Sequence, residues 1–136
     1  GFLCAFGLAL RPDEHERIDH VSCQCEFLGF LARKEAHALE AGDQCMLEET
    51  VKAARLFLRD HLARFAPAFA GALEREAPGG FHGALGRLLL AFLAFDCGRL
   101  GVQLGTATLK LRLAPVEDTM PMGCGPGGGS GEHDPD

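Results

Sequence analysis

The stretch PDEHERIDHVSCQCEF, Pro12 to Phe27, concentrates reactive side chains: two histidines, several carboxylates and Cys23-Gln24-Cys25. Three chemistries suit those residue types. The first is metal binding. His15 to His20 looks like the zinc helix HExxH with one residue inserted. A helix turns ~100° per residue, so a spacing of five sets the two rings ~140° apart. They cannot share one ion from a regular helix. His15 and Asp19, four apart, share a face but supply only two ligands where zinc takes four. The second chemistry is acid/base catalysis by Asp19, His20 and Glu26. No glycine-rich phosphate loop, nucleophile elbow or second cluster accompanies them. No catalytic residue, metal ligand or cofactor is therefore assigned. The third is recognition. Asp19 and Glu26 are seven apart, about two helical turns, and fall on one side beside an apolar stripe. Carboxylates next to apolar surface suit an arginine-containing, partly apolar peptide. The plain competitor is a solvated acidic helix start.

These residues need elements to position them. Gly1 to Leu10 reads as the end of a buried helix, broken at Arg11-Pro12. Pro12 suits the first turn of a second helix, and Asp13, Glu14 and Glu16 suit its positive end. Along it Ile18, Val21, Cys25, Leu28, Ala32, Ala36 and Leu39 recur at helical spacing, widened by Phe27 and Leu31. Ala41-Gly42-Asp43 stops this helix and starts the next. The third carries Leu47, Val51, Ala54, Leu58, Leu62 and Phe65, and Pro67 interrupts or kinks it before a short continuation. Pro78-Gly79-Gly80 is a turn. Phe81 to about Leu100 is the last long helix, apolar on more than one face, with Leu85, Leu88, Leu89, Phe92 and Phe95 expected inward and the helix central.

LKLRLAP, Leu109 to Pro115, alternates and reads as a short extended segment packed on the bundle. From there the chain is rich in Pro, Gly and acids and cannot build a core. The expected architecture is all-α: an antiparallel bundle of about four helices over residues 1–113, and a disordered tail over 114–136. Within that tail Cys124, set among glycines, reads as an accessible thiol.

A net charge of −6 argues against nucleic acid, whose phosphates need clustered Lys and Arg. Six cysteines without a CxxC spell no zinc pattern and read as scattered small apolar residues in a reducing compartment. The apolar run Leu88 to Phe95 is far shorter than the ~20 residues a bilayer needs, so no stable membrane insertion is expected.

RIDHVSCQCEFLGFLARKEAHALEAGD followed by FLRDHLARFAPAFAGAL resembles the TorD/DmsD/NarJ-type chaperones of redox enzymes. The resemblance rests on Asp19-His20, then Glu26-Phe27, and on a second block, Asp60-His61-Leu62 with Phe65 and Pro67. GFHGALGRLLLAFL sits where that family has its late core helix. The likeness covers about Arg11 to Val102. Gln24 stands where relatives often carry an acid, and Phe65 where they often carry Trp. The resemblance implies a cytoplasmic, non-enzymatic chaperone. Such a protein binds the twin-arginine leader, or a mature segment, of a molybdopterin oxidoreductase subunit until its cofactor is inserted. It implies Asp19 and His20 as first contacts, with Glu26, Asp60 and His61 behind them; Asp60 and His61 serve equally well as ties between helices. It also implies that family N-terminal helices are missing here. The apolar surface so uncovered favours aggregation or exchange within a homodimer. The competing reading is a small scaffolding or regulatory helical module without leader specificity.

Overall fold

A computed structural model describes residues 2–9 and 19–111. The expected helix start at Pro12, the His15 ligand, the tail from 114 and Cys124 lie outside the described residues. The order is α1 (Phe2–Ala5), α2 (Val21–Ala41), α3 (Gln44–Phe57), a π turn (Leu58–Leu62), α4 (Ala63–Glu76) and α5 (Phe81–Leu100). This is the expected all-α bundle of about four long helices. α2 packs on α3, α4 on α5, and α3 touches α5. Leu109 to Leu111 form neither strand nor helix.

Local chemistry sets the boundaries. α2 begins at Val21, where His20 caps it: His20 has extended backbone and its Nδ1 accepts from the Ser22 N–H at 3.3 Å. Asp19 and His20 therefore sit before the helix rather than on its face. At the other end Gly42 takes the left-handed conformation, φ 66°, and the Asp43 N–H reaches back to the Ala38 carbonyl at 2.9 Å. Asp43 then caps α3 through Oδ1, which accepts from the Met46 N–H at 2.9 Å. One Gly-Asp pair so closes one helix and opens the next.

Pro67 does not break its helix. It lies inside α4, and the distortion is taken up one turn earlier by the π turn, where the Ala63 N–H bonds the Leu58 carbonyl. Proline has no N–H to give the carbonyl four residues back, that of Ala63. The Gly105 N–H takes its place at 2.8 Å. Approach this close needs glycine, since a Cβ at 105 would stand 2.1 Å from the Arg64 carbonyl oxygen. Close approach also joins α4 and α5: Cβ atoms at Gly83 and Gly86 would stand 2.4 and 2.8 Å from the carbonyl oxygens of Ala77 and Ala70.

The core gathers Phe27, Leu28 and Leu31 of α2, Ala54 and Phe57 of α3, Leu58 and Leu62 of the π turn, and Leu93, Cys97 and Leu100 of α5. Two inward faces differ from expectation. On α2 the covered side is Gln24, Phe27, Leu28, Leu31 and Ala38, while Cys25, Ala32, Ala36 and Leu39 are exposed. On α5 the covered side is Gly83, Gly86, Leu93, Asp96, Cys97 and Leu100, while Leu85, Leu88, Phe92 and Phe95 are exposed and Leu89 is half-buried. α5 is thus peripheral rather than central. Its glycine side lies against α4, which leaves the large apolar side uncovered. With 20 residues and a mean hydropathy of 1.3 it also has the length and composition of a membrane span. Its packing on α4 and its buried, ion-paired Asp96 are those of a bundle helix.

Candidate functional site

The two stripes that the sequence marks as inward face one another. Cys25, Leu28, Gly29 and Ala32 of α2 form one wall of a groove, and Leu85, Leu88, Leu89 and Phe92 of α5 form the other, around about 350 Å³ of unfilled space. The small residues of α2 keep that wall low, so the groove is a slot rather than a collapsed seam. Its apolar surroundings push the Cys25 thiol up, so the sulfur stays protonated and acts as part of the apolar wall.

One end of the slot is closed by charge. Arg99 Nη1 donates to Glu35 Oε1 at 2.7 Å, and Arg99 Nε donates to Asp96 Oδ1 at 2.9 Å, with Asp96 buried. A buried carboxylate needs such pairing, and this one ties α2 to α5. The triad is net negative, with two carboxylates to one guanidinium. At the other end of its wall α2 carries Glu26, next in sequence to Cys25. Glu26 is exposed and has no ion-pair partner among the described residues.

The residues singled out in the sequence fall at one end of the bundle. Phe27 of α2 meets Phe57 of α3 with ring centroids 4.7 Å apart, which sets the start of α2 against the end of α3. His20 and Glu26 belong to the first of these, Asp60 and His61 to the π turn that follows the second. Asp19 and His20 form an exposed corner. Gln24, buried below it, donates from Nε2 to the Asp19 carbonyl at 3.0 Å and so fixes the corner to the helix. In the sequence Gln24 reads only as an acid lost; its positioning role shows in three dimensions alone.

Asp60 and His61 diverge in role. Arg59 clamps Asp60 through two hydrogen bonds of 2.7 and 2.8 Å. The clamp holds the Asp60 carboxyl below the usual range, and much of its field is already neutralised by its neighbour. His61 instead lies against rings, 5.3 Å from Phe2 and 5.2 Å from Phe57 between centroids. That contact docks α1 on the π turn, the inter-helix tie that the sequence left open for His61. Among the described residues no three His, Cys, Asp or Glu side chains converge as a metal site. The Glu35–Arg99–Asp96 triad is legible in the sequence only as scattered charges, because its members are joined across 64 residues.

The sequence profile of the nitrate reductase delta subunit family matches residues 1–71. Among curated proteins, a chaperone protein TorD of Photobacterium profundum is 30% identical over 95 residues, which cover 70% of this chain and 43% of the relative. The chain thus spans less than half the length of that relative. No solved structure matches.

Proposed function

The chain belongs to the nitrate reductase delta subunit family of redox-enzyme maturation chaperones, and from that premise we propose that it acts by binding rather than by catalysis. Its client is a segment of a molybdopterin oxidoreductase subunit, a twin-arginine leader or a mature stretch, held in the cytoplasm while cofactor insertion and folding proceed. The observation that carries this reading is the unfilled apolar groove between α2 and α5, with Glu26 beside one wall and the net-negative Glu35–Arg99–Asp96 triad at its end. A leader joins arginines to an apolar run. The run takes water-exposed Leu85, Leu88 and Phe92 out of solvent, and the arginines meet carboxylates at the Asp19–His20–Glu26 corner. Because Asp19 and Glu26 are exposed, each such pair contributes at most about 1 kcal/mol. Affinity therefore comes from the groove, and the carboxylates supply the preference for arginine.

Isothermal titration with a synthetic twin-arginine leader tests this, with a Lys-Lys leader as control. Saturable binding is expected, weakened about two- to fivefold by Asp19→Asn and by the Lys-Lys change. Unchanged affinity of a folded Asp19→Asn variant for the twin-arginine leader, with the wild type binding both leaders equally, would remove the corner from the site. Absence of binding to leaders and to mature segments alike would remove the function.

A further inference from the structure

A second pocket lies apart from the groove and shares no lining residue with it. Lys52, Arg55 and Arg59 stand on one wall. Gly101 to Gln103, where the chain leaves α5, form the other, around about 410 Å³ of unfilled space. Steps of three and four put the three cations on one face of α3 and of the π turn that continues it. Among the described residues no carboxylate lines the pocket. Asp60 holds Arg59 from outside the wall, and Glu49 stands a loose 3.7 Å from Lys52 with both side chains exposed. Arg55 is exposed and has no ion-pair partner among the described residues. The pocket thus keeps the full charge of Arg55 and most of that of Lys52.

We propose that this pocket receives an acidic segment of the same chain, Glu117-Asp118. Three observations select that occupant. The first is charge. Beyond Arg112 the chain has no Lys or Arg and carries Glu117, Asp118, Glu132, Asp134 and Asp136. Carboxylates pair with guanidinium and ammonium groups through charge-assisted hydrogen bonds. The second is connection. One wall of the pocket, Gly101 to Gln103, is the start of the chain that leads to these acids. The Gly105 N–H, bonded to the Ala63 carbonyl at 2.8 Å, holds that chain beside the π turn that carries Arg59. The third is loop length. Glu117 follows Gln103 by 14 residues and Glu132 by 29, and the shorter loop costs less entropy to close. A segment too poor in apolar residues to build a core docks by charge, and its tether supplies the local concentration that weak ion pairs need.

The test is zero-length carbodiimide coupling of the full chain, which joins an amine to a carboxylate only where the two touch. Lys52 is expected to couple to Glu117 or Asp118, located by peptide mass mapping, and to lose that link in about 0.5 M salt. Coupling of Lys52 to Glu49, on its own helix, reports that the amine stays reactive throughout. Arg55→Glu is expected to lower the yield of the long-range link about fivefold with an unchanged circular dichroism spectrum, since Arg55 is exposed. Arg55→Glu combined with Asp118→Lys is expected to join positions 55 and 118 directly. A wild type in which Lys52 couples only within its own helix overturns the proposal. So does a long-range link that Arg55→Glu leaves unchanged. A link that forms only between plain and nitrogen-15-labelled chains gives the pocket to a neighbour's segment, and one confined to Glu132, Asp134 or Asp136 gives it to the later acids. Either result overturns the assignment.

Discussion

At the residue scale, two polar side chains are held in contrasting ways. Thr50 is 1% exposed, and its Oγ1 has no hydrogen-bond partner among the described residues. A buried hydroxyl without a partner costs about 1–3 kcal/mol. Thr50→Val keeps the shape and removes the orphan, so it is expected to raise unfolding free energy by about 1 kcal/mol, read as a higher denaturant midpoint at unchanged slope. Asp60 behaves differently. Its carboxyl is held below the usual range by the Arg59 hydrogen bonds. A depressed carboxyl adds stability above its unfolded pKa and loses it as pH falls through the lower folded value. That contribution is constant near neutrality and fades only in acid. Since the pair is fully exposed, Asp60→Asn is expected to leave the neutral melting temperature nearly unmoved and to flatten only the acid limb of a melting-temperature profile. A marked loss at pH 7 would mean that Asp60 carries more of the fold than its clamp implies. Residue types were readable in the sequence at both positions. Their partners were not, because a hydrogen bond to a neighbour's guanidinium and an unmet hydroxyl leave no periodicity.

At the element scale, the helices were legible because apolar spacing and glycine stops are local signals. Gly42-Asp43 was read correctly, since a left-handed glycine and an aspartate cap act within a few residues. The sequence carries one helix through Asp19 and His20, which the structure sets before α2, because a histidine cap such as His20 is a weak local signal. Pro67 reads as an interruption or a kink because its missing N–H is a local fact, and the structure excludes the interruption. The remedy, Gly105, lies far along the chain beyond α5 and is invisible locally. That remedy is testable. Gly105→Ala places a Cβ against the Arg64 carbonyl and pulls the Gly105 N–H from Ala63. Losing the bond and stranding a buried carbonyl is expected to cost about 1–3 kcal/mol. Pro67→Ala returns an N–H to the same carbonyl, so Gly105→Ala should cost less in that background. The two changes are then non-additive in a double-mutant cycle. Additive costs would separate the proline from the glycine.

At the scale of the whole molecule, the sequence identified the apolar surfaces but not their occupants. Periodicity assigns Cys25 and Ala32 on α2, and Leu85, Leu88 and Phe92 on α5, to a core. The fold sets them on either side of an open slot. A stripe of hydrophobic spacing records that something covers it, and the coverer need not be another element of the same fold. Here the coverer is the client segment proposed above. Leu88 lines the groove and is exposed, so Leu88→Glu is expected to leave the helical circular dichroism spectrum unchanged while weakening a twin-arginine leader about tenfold in isothermal titration. The Lys-Lys leader should weaken by a similar factor, because it differs only in the carboxylate contacts and loses the same apolar wall. Unchanged affinity in the folded variant would move the client away from the groove.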